Sequence, residues 1–332
     1  MKAFIIDKYT KGSLQLADVP VPIVGENEVL VEVHSAGVNL LDSKIKTGEF
    51  KLMLPYNFPL ILGHDVAGII TKIGSKVSHF KVGDEVYSRA ADYHIGTFAE
   101  YIAIDEKDVA LKPKNLTMEE AASIPLVALT VWQALVEKAS LKKGQKVFIQ
   151  AGSGGVGTIA IQLAKHLGAI VATTTSTANM ELVKSLGADV VIDYKKENFE
   201  DKLSGYDVVL NSQDQRTLEK SLNILKPGGK LISISGPPDP DFAKGIGLGW
   251  LLKLIISLLS FSVRKKAKHH RISYSFLFMK AEGTQLSKIT TLIESGIIRP
   301  VIDKVFTFER TPDALAYVES GRAKGKVVIT MQ

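Results

Sequence analysis

Residues 146–179 read KVFIQAGSGGVGTIAIQLAKHLGAIVATTTSTAN, and six of them are spaced to hold a phosphate-bearing ligand. The run Gly152-Ser153-Gly154-Gly155-Val156-Gly157 follows an apolar strand. It opens a helix patterned by Ile159, Ile161, Leu163, Ala164 and Leu167. A second apolar strand starts at Ile170, so G-x-G-x-x-G stands in the βαβ setting that gives this motif its meaning. Gly152 permits the tight turn, Gly154 lets backbone approach a pyrophosphate, and Gly157 lets the helix close on the strand. The amides and positive dipole end of that helix suit an anion.

The second strand runs out in Thr173-Thr-Thr-Ser-Thr-Ala-Asn179, without an acid. NAD-binding units usually place Asp or Glu there for the ribose hydroxyls. A carboxylate repels a 2′-phosphate, whereas Thr175, Ser176 and Asn179 can donate to one, so the expected cofactor is NADPH. No Arg or Lys precedes Lys184 in this loop, and Arg322 is nominated as the missing cation. A strand end that accepts either cofactor is the competing reading. Ser235, at the end of a later strand, completes the loop-borne set.

These residues need a scaffold, and the pattern supplies two. Residues 1–120 hold short alternating apolar runs such as Glu28–Val33, Ala67–Ile73 and Asp84–Tyr87, punctuated by Gly, Pro and Asp. That is a compact β-rich unit. From about Met118, helices and strands alternate, with strands expected at 147–150, 170–174, 190–192, 207–210 and 231–235. The turn Lys226-Pro-Gly-Gly229 leads into the last of these. Further apolar runs fall at 273–279, 300–308 and 326–331. Alternation of this kind makes an open parallel sheet. At 332 residues the chain exceeds the size of one core, so two domains are expected, with a cleft between them as the natural substrate site.

Composition narrows the function. The net charge of +6 is spread thinly except in Arg264–Arg271, and no aromatic-interleaved basic face argues for nucleic acid. There is no cysteine, which excludes disulfides, thiolate metal sites and cysteine nucleophiles and fits a reducing, cytoplasmic setting. The N-terminal strand lacks the apolar core of a signal peptide. Leu248–Val263 is strongly apolar, yet shorter than a membrane span and interrupted by Lys253. It reads as an amphipathic helix that walls a cleft or meets a dimer partner. An interfacial helix with a polybasic flank is the less favoured alternative.

The segments Ala36-Gly-Val-Asn39-Leu-Leu-Asp42, Gly63-His-Asp65-Val-Ala-Gly68, Val82–Val86, Gly96–Tyr101, Leu129–Ala134, the glycine motif and Gly321–Ile329 together carry a resemblance that spans the chain. It resembles the medium-chain dehydrogenase/reductase superfamily, in its zinc-independent quinone oxidoreductase and alkenal/enone reductase branch. The resemblance implies an α/β protein with a GroES-like β-rich catalytic domain (1–122 and 300–332) around a Rossmann, doubly wound parallel-sheet cofactor domain (123–299). Zinc-dependent relatives carry cysteine where this chain has Asn39 and, near it in role, Leu126, with His64 between them. His64 and Asp65 alone fall short of a tetrahedral site, so no metal is expected.

The implied reaction is hydride delivery to a quinone ring or to the β-carbon of an enone, with a donor needed for the developing oxyanion. Candidate donors are Asn39, Tyr56 and Lys44. Each has a plainer alternative: an amide bonded to its own loop, an aromatic that only packs, and a solvated surface lysine. The resemblance further places Thr130 near the nicotinamide ribose and Tyr194 over the adenosine end. The partner is a small-molecule electron acceptor, and a homodimer is expected through the run 273–279, which falls last in the cofactor half. An NADPH-binding sensor or structural protein without robust turnover, and a metal-dependent alcohol dehydrogenase, are the alternative functions.

Overall fold

The computed structural model describes residues 1–247 and 249–331. Leu248, the first residue of the apolar run at 248–263, and Gln332, the last of the expected span 300–332, lie outside the described residues. Two compact units divide the chain. One runs from Met1 to Leu129 and resumes at Lys280; the other is Thr130–Met279.

The first unit is β-rich. Its largest sheet sets Glu28–Val38 at the centre, paired antiparallel with Asp65–Ile73, Tyr101–Asp105 and Lys326–Thr330. Glu85–Arg89 and Val109–Leu111 extend it on one side, and Ile302–Thr307 closes the other by pairing parallel with Lys326–Thr330. Both ends of the chain therefore build one sheet, with Val327 opposite Val38. The inward-facing residues Val29, Val31, Val33, Val66, Ile70, Val86, Ile102, Ile104 and Ile329 form its core. The helix Gly283–Glu294 belongs to this unit by contact: a side chain on Gly283 would stand 2.3 Å from the Val109 carbonyl.

The second unit is a six-stranded, all-parallel sheet. Its spatial order is Val190–Asp193, Ile170–Thr175, Lys146–Ile149, Tyr206–Asn211, Leu225–Ser233 and Ser273–Phe276. In chain order this is 3-2-1-4-5-6, the doubly wound dinucleotide-binding topology. Helices Gly155–His166, Met180–Ser185, Gln215–Leu222 and Phe261–His269 join the strands. Strands buried on both faces need near-continuous apolar sequence, which Val147, Phe148 and Ile149 supply.

Two elements differ from expectation. The strand expected at 231–235 begins at Leu225, because Lys226–Gly229 bulges out of the ladder between the pairs Tyr206–Leu225 and Val208–Lys230. The strand expected over 273–279 ends at Phe276, whose amide donates to Asp239 Oδ2 at 2.8 Å. Among the described residues no helix is long and apolar enough to cross a membrane.

Candidate functional site

In the second unit the glycine motif performs three separable jobs. A Cβ on Gly152 would lie 2.1 Å from Thr173 Oγ1, and one on Gly157 would lie 2.3 Å from the Ala151 carbonyl. These two are glycines because the protein itself fills the space. Gly154 is different: the nearest protein atom to its Cβ position is the Ala151 carbonyl at 3.4 Å, an ordinary contact. The fold tolerates a side chain there, so the glycine answers to something outside the fold. Gly154 caps the helix Gly155–His166 with no side-chain hydrogen bond to its first turn, and Ser153, Gly154, Gly155 and Val156 are all partly exposed. Amides at an uncapped, accessible helix start fit the pyrophosphate of a dinucleotide.

Around this turn the structure gathers several of the residues singled out in the sequence. Ser153 Oγ accepts from Thr175 Oγ1 at 3.0 Å and from Asn179 Nδ2 at 3.2 Å. Ser176 stands half-buried between them in the chain. The Tyr194 amide donates to the Thr175 carbonyl at 3.1 Å while its ring stays 61% exposed, open to cover a ligand. Ser235 Oγ donates to the Gln213 carbonyl at 2.6 Å and to Asn211 Oδ1 at 3.3 Å. Thr130 is buried within the helix Pro125–Trp132, short of a π-helical turn at Gln133–Lys138. Arg322 belongs to the first unit, exposed in the turn before Lys326–Thr330.

Three features were not read from the sequence. Parallel pairing sets Thr175 opposite Asp193, so the strand end that lacks an acid has one beside it. Asp193 is buried and engaged: the Thr177 hydroxyl donates to it, which with the Lys195 amide holds its carboxyl below the usual range. The same pairing brings Lys195 and Lys196 to this corner, Lys196 Nζ standing 3.8 Å from Asp193 Oδ2. They lie a strand later than the loop itself, so linear inspection of that loop passes over them. Third, Gln150, Asn211 and Ser233 form a buried network at the strand ends where the winding reverses. Asn211 Nδ2 donates to Gln150 Oε1 at 2.7 Å, and Gln150 Nε2 donates to Ser221 Oγ at 2.7 Å.

In the first unit the candidates meet in a buried polar cluster. Asn39 caps the helix Leu40–Lys46, and its backbone amide donates to Asp42 Oδ2 at 2.8 Å. Its side chain is fully committed: Nδ2 donates to Asp65 Oδ2 at 3.0 Å and to the Gly37 carbonyl at 3.3 Å, while Oδ1 accepts from Lys326 Nζ. Lys326, buried inside an apolar strand, also reaches Asp65 Oδ2 at 3.1 Å. Asp65 Oδ1 takes the Leu126 amide at 2.7 Å. His64 is buried with Nδ1 2.6 Å from Asp42 Oδ1.

Spare hydrogen-bonding capacity lies beside this cluster. His64 Nε2, Arg89 Nε and Nη1, and Thr97 Oγ1 are buried with no hydrogen-bond partner among the described residues. Arg89 pairs with Asp65 across the strands, and the Ala90 amide donates to the His64 carbonyl. Tyr56 is tied in through Asp92: its hydroxyl donates to the Asp92 carbonyl, and Arg89 Nη2 grips the Asp92 carboxylate. Burial, reinforced by the Asp92 charge, pushes the Tyr56 phenol above its ordinary range. Lys44 sits at the surface, 3.6 Å from Glu49 Oε2.

The donor set does not fit zinc. Among the described residues no three His, Cys, Asp or Glu side chains group to hold a metal. Leu126 offers only backbone, and Asn39 and Asp65 already surround an ammonium group.

A GroES-like β-unit joined to a dinucleotide-binding sheet defines a nicotinamide-dependent oxidoreductase. Comparison with known families and proteins agrees. Residues 25–114 match the alcohol dehydrogenase GroES-like domain, and residues 186–329 match the domain described as zinc-binding dehydrogenase. The chain is 39% identical to a 2-methylene-furan-3-one reductase of Solanum lycopersicum, covering 99% of this chain and 79% of that one. It is 35% identical, over the same shares, to a chloroplastic NADPH-dependent alkenal/one oxidoreductase of Arabidopsis thaliana. The solved quinone oxidoreductase of Coxiella burnetii superposes with a TM-score of 0.84 at 29% identity, covering 100% of this chain and 99% of that one. The chain belongs to the medium-chain dehydrogenase/reductase superfamily, in its quinone oxidoreductase and alkenal/enone reductase branch.

Proposed function

We propose that the protein is an NADPH-dependent, metal-independent reductase of quinones or α,β-unsaturated carbonyl compounds. The observation that carries the cofactor reading is Gly154, a glycine that the fold does not require at an uncapped helix start. The bound nicotinamide supplies the hydride. Gly155, Val156 and Gly157 amides hold the pyrophosphate; Gly152 and Ser153 shape the turn. Thr175, Ser176 and Asn179, with Lys195 and Lys196, favour a 2′-phosphate, and Tyr194, Thr130, Ser235 and Arg322 complete the proposed cofactor set.

The acceptor class comes from the three relatives named above, whose names specify a methylene-furanone, alkenals or alkenones, and quinones. Such acceptors need no Lewis acid, which agrees with a cluster whose positive charge is the Lys326 ammonium. We assign Tyr56 as the donor to the acceptor oxygen, a role in which its hydroxyl exchanges the Asp92 carbonyl for the acceptor. Asn39, with no amide hydrogen to spare, positions Asp65 and Lys326. Lys44 contributes surface charge only.

Absence of cysteine supports a reducing compartment such as the cytoplasm. The outer strand Ser273–Phe276 has no further strand beside it among the described residues, Asp239 taking only its Phe276 amide, and we propose that a second copy covers it as a homodimer. Sedimentation at twice 36.1 kDa checks this. The central test is NADPH oxidation across quinones, enones and simple ketones, with and without a chelator. Turnover of the conjugated acceptors should survive chelation. Binding without turnover would instead make the protein a sensor or structural recruit, and zinc-restored activity would make it a metal-dependent alcohol dehydrogenase.

A further inference from the structure

The helix Trp250–Leu259 turns its apolar side outward. Trp250, Leu251, Leu254, Ile255, Leu258 and Leu259 are exposed, at 44% to 78% of their surface, and Phe261 continues the stripe at 57%. They recur at intervals of four from two adjacent starting points, which makes one continuous face. The opposite side holds the buried Ile256. This is the reverse of an ordinary surface helix, whose outer face is polar.

Charge supplies the second observation. Residues 242–281 contain eight Lys or Arg and no Asp or Glu. Arg264 is spent on fixing the corner between the two helices, donating to Ser257 and Ser260, and Lys266 pairs with Glu219 at 2.7 Å. Lys253, Lys265, Lys268 and Arg271 carry no ion pair among the described residues and are exposed. An apolar stripe followed in the chain by exposed cations, within forty residues that hold no Asp or Glu, complements one kind of surface.

From this we infer that Trp250–Phe261, with the basic flank at 264–271, docks the protein on an anionic lipid bilayer. The helix would lie in the interface with Trp250 and the leucines among the acyl chains and the cations at the headgroups. Ten residues span about 15 Å, too short to cross the roughly 30 Å of hydrocarbon. A second copy of the chain is the poorer occupant. A two-fold contact through this patch would oppose identical surfaces with an excess of Lys and Arg, and like charges across an interface are unfavourable.

The test is co-sedimentation of the full chain with vesicles of phosphatidylcholine alone, or with about one third phosphatidylglycerol. Binding should appear on the acidic vesicles, weaken as salt shortens the reach of charge, and shift Trp250 emission to the blue in a Trp132→Phe background. Lys265→Gln, Lys268→Gln and Arg271→Gln combined should lower the partition coefficient about a hundredfold, at roughly fivefold per charge. Leu254→Glu with Leu258→Glu should abolish binding while circular dichroism and NADPH affinity stay unchanged. Failure to sediment with acidic vesicles, or equal binding to neutral ones, would overturn the inference. So would loss of a dimer in the leucine variant without any vesicle binding by the parent, which would assign the stripe to a second copy.

Discussion

Replacing Gly154 by alanine should separate ligand binding from folding. The new methyl group finds only the Ala151 carbonyl at 3.4 Å, and the residue already has φ −83° and ψ 172°, which alanine adopts freely. A slightly poorer helix cap is offset by a less flexible unfolded chain, so stability should change by less than about 1 kcal/mol. The same methyl group occupies the approach to the helix start. Losing one charge-assisted hydrogen bond there costs about 1.5–3 kcal/mol, or roughly 10- to 150-fold in Kd. Gly152→Ala is the contrasting variant. Its Cβ would stand 2.1 Å from Thr173 Oγ1, a hydroxyl held by the Ile149 carbonyl at 2.6 Å. Overpacking of that kind costs about 1–3 kcal/mol, which for a unit of this size lowers Tm by roughly 2–12 °C. Calorimetry and NADPH fluorescence titration on both variants decide the matter. A Gly154→Ala protein that is stable and binds NADPH with unchanged Kd would refute the reasoning, as would one that unfolds early.

Other consequences follow from the buried clusters. Lys326→Met leaves Asp65 charged and buried, and should cost about 3–5 kcal/mol; adding Asp65→Asn should recover part of it, read by denaturant unfolding. Lys195→Ala with Lys196→Ala should narrow the preference for NADPH over NADH, whereas a loss confined to Arg322→Ala would move the 2′-phosphate contact to that residue. Burial raises the Asp108 carboxyl to about 6. The folded protein therefore binds a proton that the unfolded chain has released, and stability from this group falls as pH rises from about 4 to 6. Asp108→Asn should remove that slope and stabilise the protein at neutral pH by about 1–3 kcal/mol, measured as Tm against pH.

Much of the architecture is legible in the sequence because its determinants are local. The glycine motif, the helix after it and the apolar strands around it are consecutive, and the parallel sheet follows from their alternation. The residues missed are those made neighbours by pairing. Lys195 and Lys196 reach the Thr175 corner only because two parallel strands end level. Lys326 meets Asp65 across 261 residues. A signal for it does exist in the chain, since a lysine opening the apolar strand Lys326–Thr330 must find a buried partner. The Asn39 amide shows the reverse case. Its residue type suggested a donor, while its commitments to Gly37, Asp65 and Lys326 emerge only in three dimensions.

The sheet that unites Glu28–Val38 with Lys326–Thr330 also imposes an order of events on biosynthesis. The central strand of the first unit leaves the ribosome early and waits for a neighbour encoded nearly three hundred residues later, as the Val38–Val327 pair shows. The nucleotide-binding unit, contiguous in the chain, has all its strands in hand long before then. It should be protease-resistant on stalled nascent chains ending near residue 310, while the β-rich unit remains cleavable until the strand Lys326–Thr330 has left the ribosome. Until that moment Asp65 has no ammonium partner, and the cluster that holds Asn39 cannot form.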